Sequence, residues 1–248
     1  MILSIHIPKA AGNSFRLLLQ AGFGPRMMRD YGDWAGCRVP EAMERCRRRS
    51  LEMRSRRDEL LEVYDVIHGH FAADKYLGLF PIEDFVAFFR DPYQQALSHY
   101  YFLLRNPERD HPEERIFHEA KMSLHDYLAW DAFHDQQTQY LGTLSTDDLA
   151  MVGLSEEFYR SVELFNSMFG CNLRGHSFLN VNPDTQGGYY KISYDVRKAV
   201  ERYRAADIET YRRAKEIFQR QTSKVLQYSR HGSESLVDLE TPRHSPIS

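Results

Sequence analysis

The feature that most constrains this fold is a series of short apolar runs interspersed with helical patterns. The runs are Ile2 to Ile7, Tyr64 to Ile67, Phe85 to Phe89 and Leu149 to Val152. Each is too short for a buried helix, and all but Leu149 to Val152 are rich in β-branched or aromatic residues, so each reads as a strand. Between them, Gly12 to Gly22 places Phe15, Leu18 and Leu19 on one helical face, and Glu41 to Glu62 is helical in composition. Pro92 opens a helix through Leu104. Ser155 is a candidate N-cap for a helix over Glu156 to Phe169, with Gly170 as its C-cap. Ala199 to Tyr228 is helical, with a break expected near Ala206. Strands alternating with helices predict an α/β fold: a central, mainly parallel sheet flanked by helices on both faces.

A chain of 248 residues, 42% hydrophobic and 13% aromatic, can bury a core without disulfides or a structural metal. One domain over residues 1–228 is expected, followed by a disordered tail over 229–248 that is rich in Ser, Pro, Glu and Arg. No apolar run approaches the ~20 residues needed to cross a bilayer. The N-terminus has no basic region or long apolar segment of a signal peptide, so a cytoplasmic location is expected. A net charge of −3 argues against a nucleic-acid-coating surface. Cys37, Cys46 and Cys171 form neither a disulfide framework nor a zinc pattern, so free thiols and no metal are expected. The oligomeric state cannot be read from these features.

Ligands of open parallel sheets bind outside the carboxyl ends of the strands, and three of the four runs carry their chemistry there. After the first comes Lys9-Ala10-Ala11-Gly12-Asn13-Ser14-Phe15. The small residues let backbone N–H groups approach an anion, and the helix N-terminus adds a positive dipole. Lys9 adds a cation, and Asn13 and Ser14 add polar side chains. An ordinary strand-to-helix turn with a surface lysine would have the same local pattern. A Walker A sequence is absent.

After the third run, Arg90 stands where a bare charge would be costly without a partner, and Ser98 follows two turns into the next helix. Together they could hold one anion, Arg90 through a bidentate contact. A helix-start ion pair between Arg90 and Asp91 is the plainer alternative. After the second run comes His68-Gly69-His70, where Gly69 is expected to permit a turn. The arginines between Arg45 and Arg57 read either as a cap for an anionic substrate or as a solvated helix face.

The first loop resembles the 5′-phosphosulfate loop (His-Ile-Pro-Lys-Thr-x-Gly-Thr-Ser) of sulfotransferases that use 3′-phosphoadenosine 5′-phosphosulfate (PAPS). The stretch from Arg90 to Ser98 resembles their 3′-phosphate motif (Arg-Asp-Pro-x-x-Arg-x-x-Ser-x-Tyr). Ala10, Asn13 and Gln95 depart from those patterns. The nearest subgroup is the carbohydrate type, the heparan sulfate 2-O-sulfotransferases and their bacterial relatives. A weaker likeness continues into Gln137-Thr138-Gln139-Tyr140-Leu141 and Val152-Gly153-Leu154. The resemblance implies a P-loop-containing nucleotide triphosphate hydrolase-like sulfotransferase fold, with PAPS as co-substrate and no metal. It implies that Lys9 to Phe15 cradle the phosphosulfate, that Arg90 and Ser98 hold the 3′-phosphate, and that His70 is the general base. His68 is the supporting or alternative base, and Lys9 stabilises the leaving phosphate. It also implies that a late loop, here containing Asn180, Asn182 and Lys191, closes over the nucleotide. The acceptor implied is a hydroxyl on a carbohydrate, a glycolipid or a small natural product. The alternatives are a P-loop-like kinase using ATP and a non-catalytic nucleotide-binding relative.

Overall fold

The computed structural model describes residues 1–33, 35–36, 38–107, 111–175 and 189–237, with side chains described as far as 227. In chain order the strands are β1 (Ile2–Ile5), β2 (Met27–Asp30), β3 (Val66–Gly69), β4 (Phe85–Phe89) and β5 (Met151–Leu154). Helix α1 (Gly12–Phe23) links β1 to β2, and α2 (Pro40–Arg54) and α3 (Arg57–Val63) link β2 to β3. Between β4 and β5 lie α4 (Pro92–Arg105), α5 (Pro112–Glu119), α6 (Leu124–Ala129) and α7 (Gln136–Leu141). After β5 come α8 (Phe158–Phe169), α9 (Tyr194–Tyr203) and α10 (Ala205–Val237).

The strands form one parallel sheet in the order β2-β3-β1-β4-β5. Every residue of β1, β3, β4 and β5 is buried, as expected when helices cover both faces of a parallel sheet. The predicted α/β architecture is therefore the one observed. Strand β2 was not predicted. Its sequence, Met-Met-Arg-Asp, has no β-branched residue, and it becomes a strand by pairing with β3 at the sheet edge.

Several boundaries differ from expectation. The arginine-rich helix is two helices, broken at Ser55, whose Oγ donates to Glu52 O. Ser155 does not cap the helix that follows it. It lies in a 3-10 turn and donates its hydroxyl to Phe89 O, tying the ends of β5 and β4 together. Gly170 does end α8 in the left-handed conformation (φ 64°). The break near Ala206 falls at Arg204, and α10 continues past Tyr228 to Val237. Residues 238–248 of the expected tail lie outside the described residues, as do Cys37, Asn180, Asn182 and the loop from Asn182 to Gly188.

Gly69 serves close approach and not a turn. It sits inside β3 between Asp30 and Ile5, and a Cβ there would lie 1.6 Å from Asp30 O. Gly12 has a similar role, since its Cβ would lie 1.9 Å from the His6 ring.

Candidate active site

From β1 the chain runs left to β2, and from β4 it runs right to β5. Successive connections therefore diverge between β1 and β4, the place where open parallel sheets form a crevice at their carboxyl edge. The Lys9 loop follows β1 and Arg90 follows β4, so both predicted anion-binding segments flank that crevice.

In the loop, Lys9 and Ala11 both adopt left-handed backbone (φ 64° each), a conformation costly for non-glycine residues. Ala10 is fully buried between them. Ala11 is the N-cap of α1 and has no side-chain cap, whereas Asp91 caps α4 by accepting from the Tyr93 and Gln94 N–H groups. The first turn of α1 thus lacks the internal capping group that α4 carries, which suits an anion at that helix end. Ser14 is buried and Asn13 half-buried at this turn. Phe15 belongs to the core. Its ring packs 4.6 Å from Phe88 and 5.1 Å from Phe165, and its N–H closes the first helical bond to Ala11 O.

Arg90 joins the two segments: its Nη1 donates to Lys9 O at 3.0 Å. Burial draws the Arg90 pKa below the usual arginine value, while Glu156, Tyr190, Tyr189 and Asp91 oppose that effect. Asp91 N donates to Glu156 Oε1 at 2.9 Å. Helix α4 turns one face toward the Lys9 loop. Gln95 Nε2 donates to Pro8 O at 3.1 Å, and the Phe102 ring lies 4.2 Å from Lys9 Nζ. Ser98 stands between them on the helix and shares that face by its three- and four-residue spacing. Gln95, a departure from the family pattern, therefore braces the loop.

The histidines are not equivalent. His70 follows the end of β3 and is half-buried. Its Nδ1 lies 2.7 Å from His6 O. A carbonyl only accepts, so Nδ1 carries the hydrogen and the neutral ring keeps its lone pair on Nε2. The His6 ring stacks on His70 at 4.1 Å and on His68 at 5.1 Å, and its Nδ1 lies 2.8 Å from Tyr31 Oη. His68 does not open toward the carboxyl edge with His70. It is 1% exposed, within β3, and its Nδ1 lies 2.9 Å from Ser4 Oγ. Burial holds its pKa near 3 and holds that of His6 well below the usual value, with His70, Arg16 and other nearby cations adding to both effects. His68 is therefore a neutral packing residue, and the structure separates it from the role of alternative base.

These shifts predict acid sensitivity. Unfolded histidines bind protons below about pH 6.5, and folded His6 and His68 do not, so their stabilisation is complete above that pH and is lost on acidification. Each contributes a slope of up to about 1.4 kcal/mol per pH unit. Asp207 acts in the opposite sense. Its pKa is raised from 3.8 to about 6 by burial, so between those values the folded protein holds the extra proton and stability falls as pH rises. Urea titrations between pH 7 and 5 should show a net loss of stability on acidification. His68→Gln should flatten that slope, and an unchanged slope would contradict the assignment.

Sequence reasoning missed a buried ionic cluster at the end of β2. Lys75 Nζ contacts Asp30 Oδ2 (2.6 Å) and Asp33 Oδ1 (2.7 Å), and Arg49 bridges the same two carboxylates (3.0 and 2.5 Å). Tyr76 Oη donates to Asp30 Oδ2 at 2.8 Å. The cluster fixes the backbone just before Tyr31, and it absorbs Arg49, one of the arginines considered for an anionic substrate. Others of that group pair with carboxylates close in sequence, as Arg47 does with Glu44 within α2 and Arg56, the N-cap of α3, with Glu59. Among the described residues no group of His, Cys, Asp and Glu is arranged to hold a metal ion.

No family model matches the sequence, and no curated protein matches it. Among solved structures, a sulfotransferase from Alicyclobacillus acidocaldarius is similar, with a TM-score of 0.42 and 17% identity, over 88% of this chain and 95% of that chain.

Proposed function

We propose that this protein is a sulfotransferase that moves a sulfuryl group from PAPS to an acceptor hydroxyl by direct in-line transfer. The observation that carries the reading is the Arg90 Nη1 to Lys9 O bond, 3.0 Å long, at the crevice between β1 and β4. It brings the start of α1, whose N-cap makes no side-chain cap, with its lysine and a half-buried strand-end arginine to one place. Two anion sites side by side suit a nucleotide with phosphates on both its 5′ and 3′ positions. The sequence resemblance assigns the phosphosulfate to Lys9–Phe15 and the 3′-phosphate to Arg90 and Ser98. Of the loop, Phe15 contributes through the backbone that starts α1.

In this mechanism His70 Nε2 takes the proton of the acceptor hydroxyl, while its Nδ1–H stays on His6 O and fixes the tautomer. The hydroxyl oxygen attacks sulfur. The bond from sulfur to the bridging 5′-phosphate oxygen breaks, and its electron pair stays on that oxygen. The Lys9 ammonium and the N–H groups at the start of α1 stabilise the charge that develops there. The products are a sulfate ester, 3′,5′-ADP and the proton on His70. The acceptor class is a carbohydrate, a glycolipid or a small natural product. Among the described residues no helix is long and apolar enough to cross a bilayer.

Ligand-induced stabilisation tests the donor. At a hundredfold excess over Kd, 3′,5′-ADP in EDTA should stabilise the fold by about 2.7 kcal/mol, and Mg-ATP should not. Stabilisation by Mg-ATP alone would favour the kinase alternative. Binding of 3′,5′-ADP with no transfer of labelled sulfate from PAPS to any of a panel of alcohols, phenols and sugars would favour the non-catalytic one.

A further inference from the structure

The main chain of Arg90 lies just past the last rung between β4 and β5, Phe89 with Leu154. Among the described residues, the strand pairing of β4 does not extend to Arg90. Gln137 holds its N–H and C=O: Arg90 N donates to Gln137 Oε1, and Gln137 Nε2 donates to Arg90 O, both at 2.9 Å. One side-chain amide thus supplies the donor and the acceptor that a sheet partner would supply. Gln137 is fully buried, so each of these bonds is costly to leave unmade.

Gln137 is itself held from a distant part of the chain. It lies in the first turn of α7, whose N-cap residue Asp135 has a left-handed backbone (φ 48°) and makes no side-chain cap. The cap comes from Asp207 on α10. Its carboxylate accepts from Gln137 N (3.1 Å), Thr138 N (2.8 Å) and Thr138 Oγ1 (2.9 Å). Asp135 Oδ1 in turn accepts from Asp207 N at 3.1 Å. The neighbouring Gln136 accepts from Gln95 Nε2 at 2.7 Å, and the same Gln95 nitrogen holds Pro8 O. The start of α7 therefore braces both sides of the crevice, through Gln137 to Arg90 and through Gln136 and Gln95 to the Lys9 loop.

We infer that Gln137, fixed by the Asp207 carboxylate, is a positioning residue for Arg90: it clamps the arginine main chain so that the guanidinium stays aimed at the 3′-phosphate of the nucleotide. This rests on the reading of the crevice as a site for an adenosine bisphosphate. Gln137 touches no substrate in this scheme, and its effect passes entirely through Arg90.

Calorimetry with two nucleotides tests the role. The pair 3′,5′-ADP and 5′-AMP differs only in the 3′-phosphate, so their affinity ratio reports the Arg90 contact. Gln137→Met keeps the side-chain length and removes both bonds. It should lower that ratio about tenfold while leaving 5′-AMP affinity within about twofold. Asp207→Asn, which weakens the cap but leaves Gln137 in place, should lower the ratio by a smaller factor. In the Arg90→Ala background, Gln137→Met should have no further effect on the ratio, since the residue acts through Arg90. A merely structural role would weaken both nucleotides alike or neither, and either result overturns the assignment, as does full additivity with Arg90→Ala. The two readings fail separately. If Arg90→Ala leaves the wild-type ratio intact, the bisphosphate site itself is wrong and the Gln137 role falls with it. If Arg90→Ala abolishes the ratio and both Gln137→Met and Asp207→Asn preserve it, only the Gln137 role is wrong.

Discussion

Arg90→Ala should weaken 3′,5′-ADP binding by ~30-fold to several thousand-fold, equivalent to about 2–5 kcal/mol. The size of the effect follows from the site. Arg90 is half-buried, and burial pulls its pKa down. An anion that pairs with it recovers that desolvation cost, and a guanidinium offers a phosphate two parallel donors. The alanine variant loses these donors and the bond to Lys9 O, which braces the opposite loop. The fold should survive, because the Arg90 main chain remains bonded to Gln137. Arg90→Lys should fall between the two, since a lysine keeps the charge without the fork. Titration calorimetry at two salt concentrations measures the loss. Equal affinity in wild type and Arg90→Ala would remove the main support for the proposed donor.

His70→Asn should slow sulfuryl transfer by about 10²- to 10⁴-fold, the usual contribution of a positioned general base, and should leave 3′,5′-ADP affinity within about twofold. His70 is suited to that role by the carbonyl behind it. The Nδ1–H on His6 O orients the ring and fixes the tautomer in which Nε2 would take the substrate proton in the proposed mechanism. The His6 ring against its face, at 4.1 Å, limits rotation further. The measurement is single-turnover transfer of labelled sulfate from PAPS, using the best acceptor found with wild-type protein. His68→Gln serves as the contrast. It should alter the pH dependence of stability and leave the transfer step close to wild type, because His68 is sealed within β3 against Ser4. A large rate loss in His68→Gln with a near-normal His70→Asn would reverse the assignment of the base.

The candidate site was legible wherever its chemistry is local. Lys9 to Ser14 could be placed because a strand, a set of small residues and a helix start follow one another in the chain. Arg90 and Ser98 could be placed because one strand end and one helix carry both. The histidine pair was legible only in part. Alternation along a strand cannot separate two residues one glycine apart, because positions i and i+2 share a face. They differ because His68 lies inside β3 against Ser4, while His70 lies just past the strand end, and only the sheet shows where that end falls. The expected turn at Gly69 failed for a related reason: its small size answers to the Asp30 carbonyl of a neighbouring strand, which its own sequence does not reveal. Strand β2 was missed because its four residues carry no strand preference of their own.

By itself, the sequence determined the alternation of strands and helices, the parallel sheet and the three strand ends that carry the candidate residues. Those properties follow from periodicity and from residue types within a few positions of each other. Tertiary structure alone decided the strand order that opens a crevice between β1 and β4, and it decided that His68 is closed off while His70 is not. It also decided that Lys75 and Arg49 together pair with Asp30 and Asp33, and that Asp207 reaches across the chain to hold Gln137 against Arg90. The physical reason is that a buried polar or charged group is stable only with its partner in place. In each of these cases the partner is supplied by a distant segment, so no local pattern could announce it.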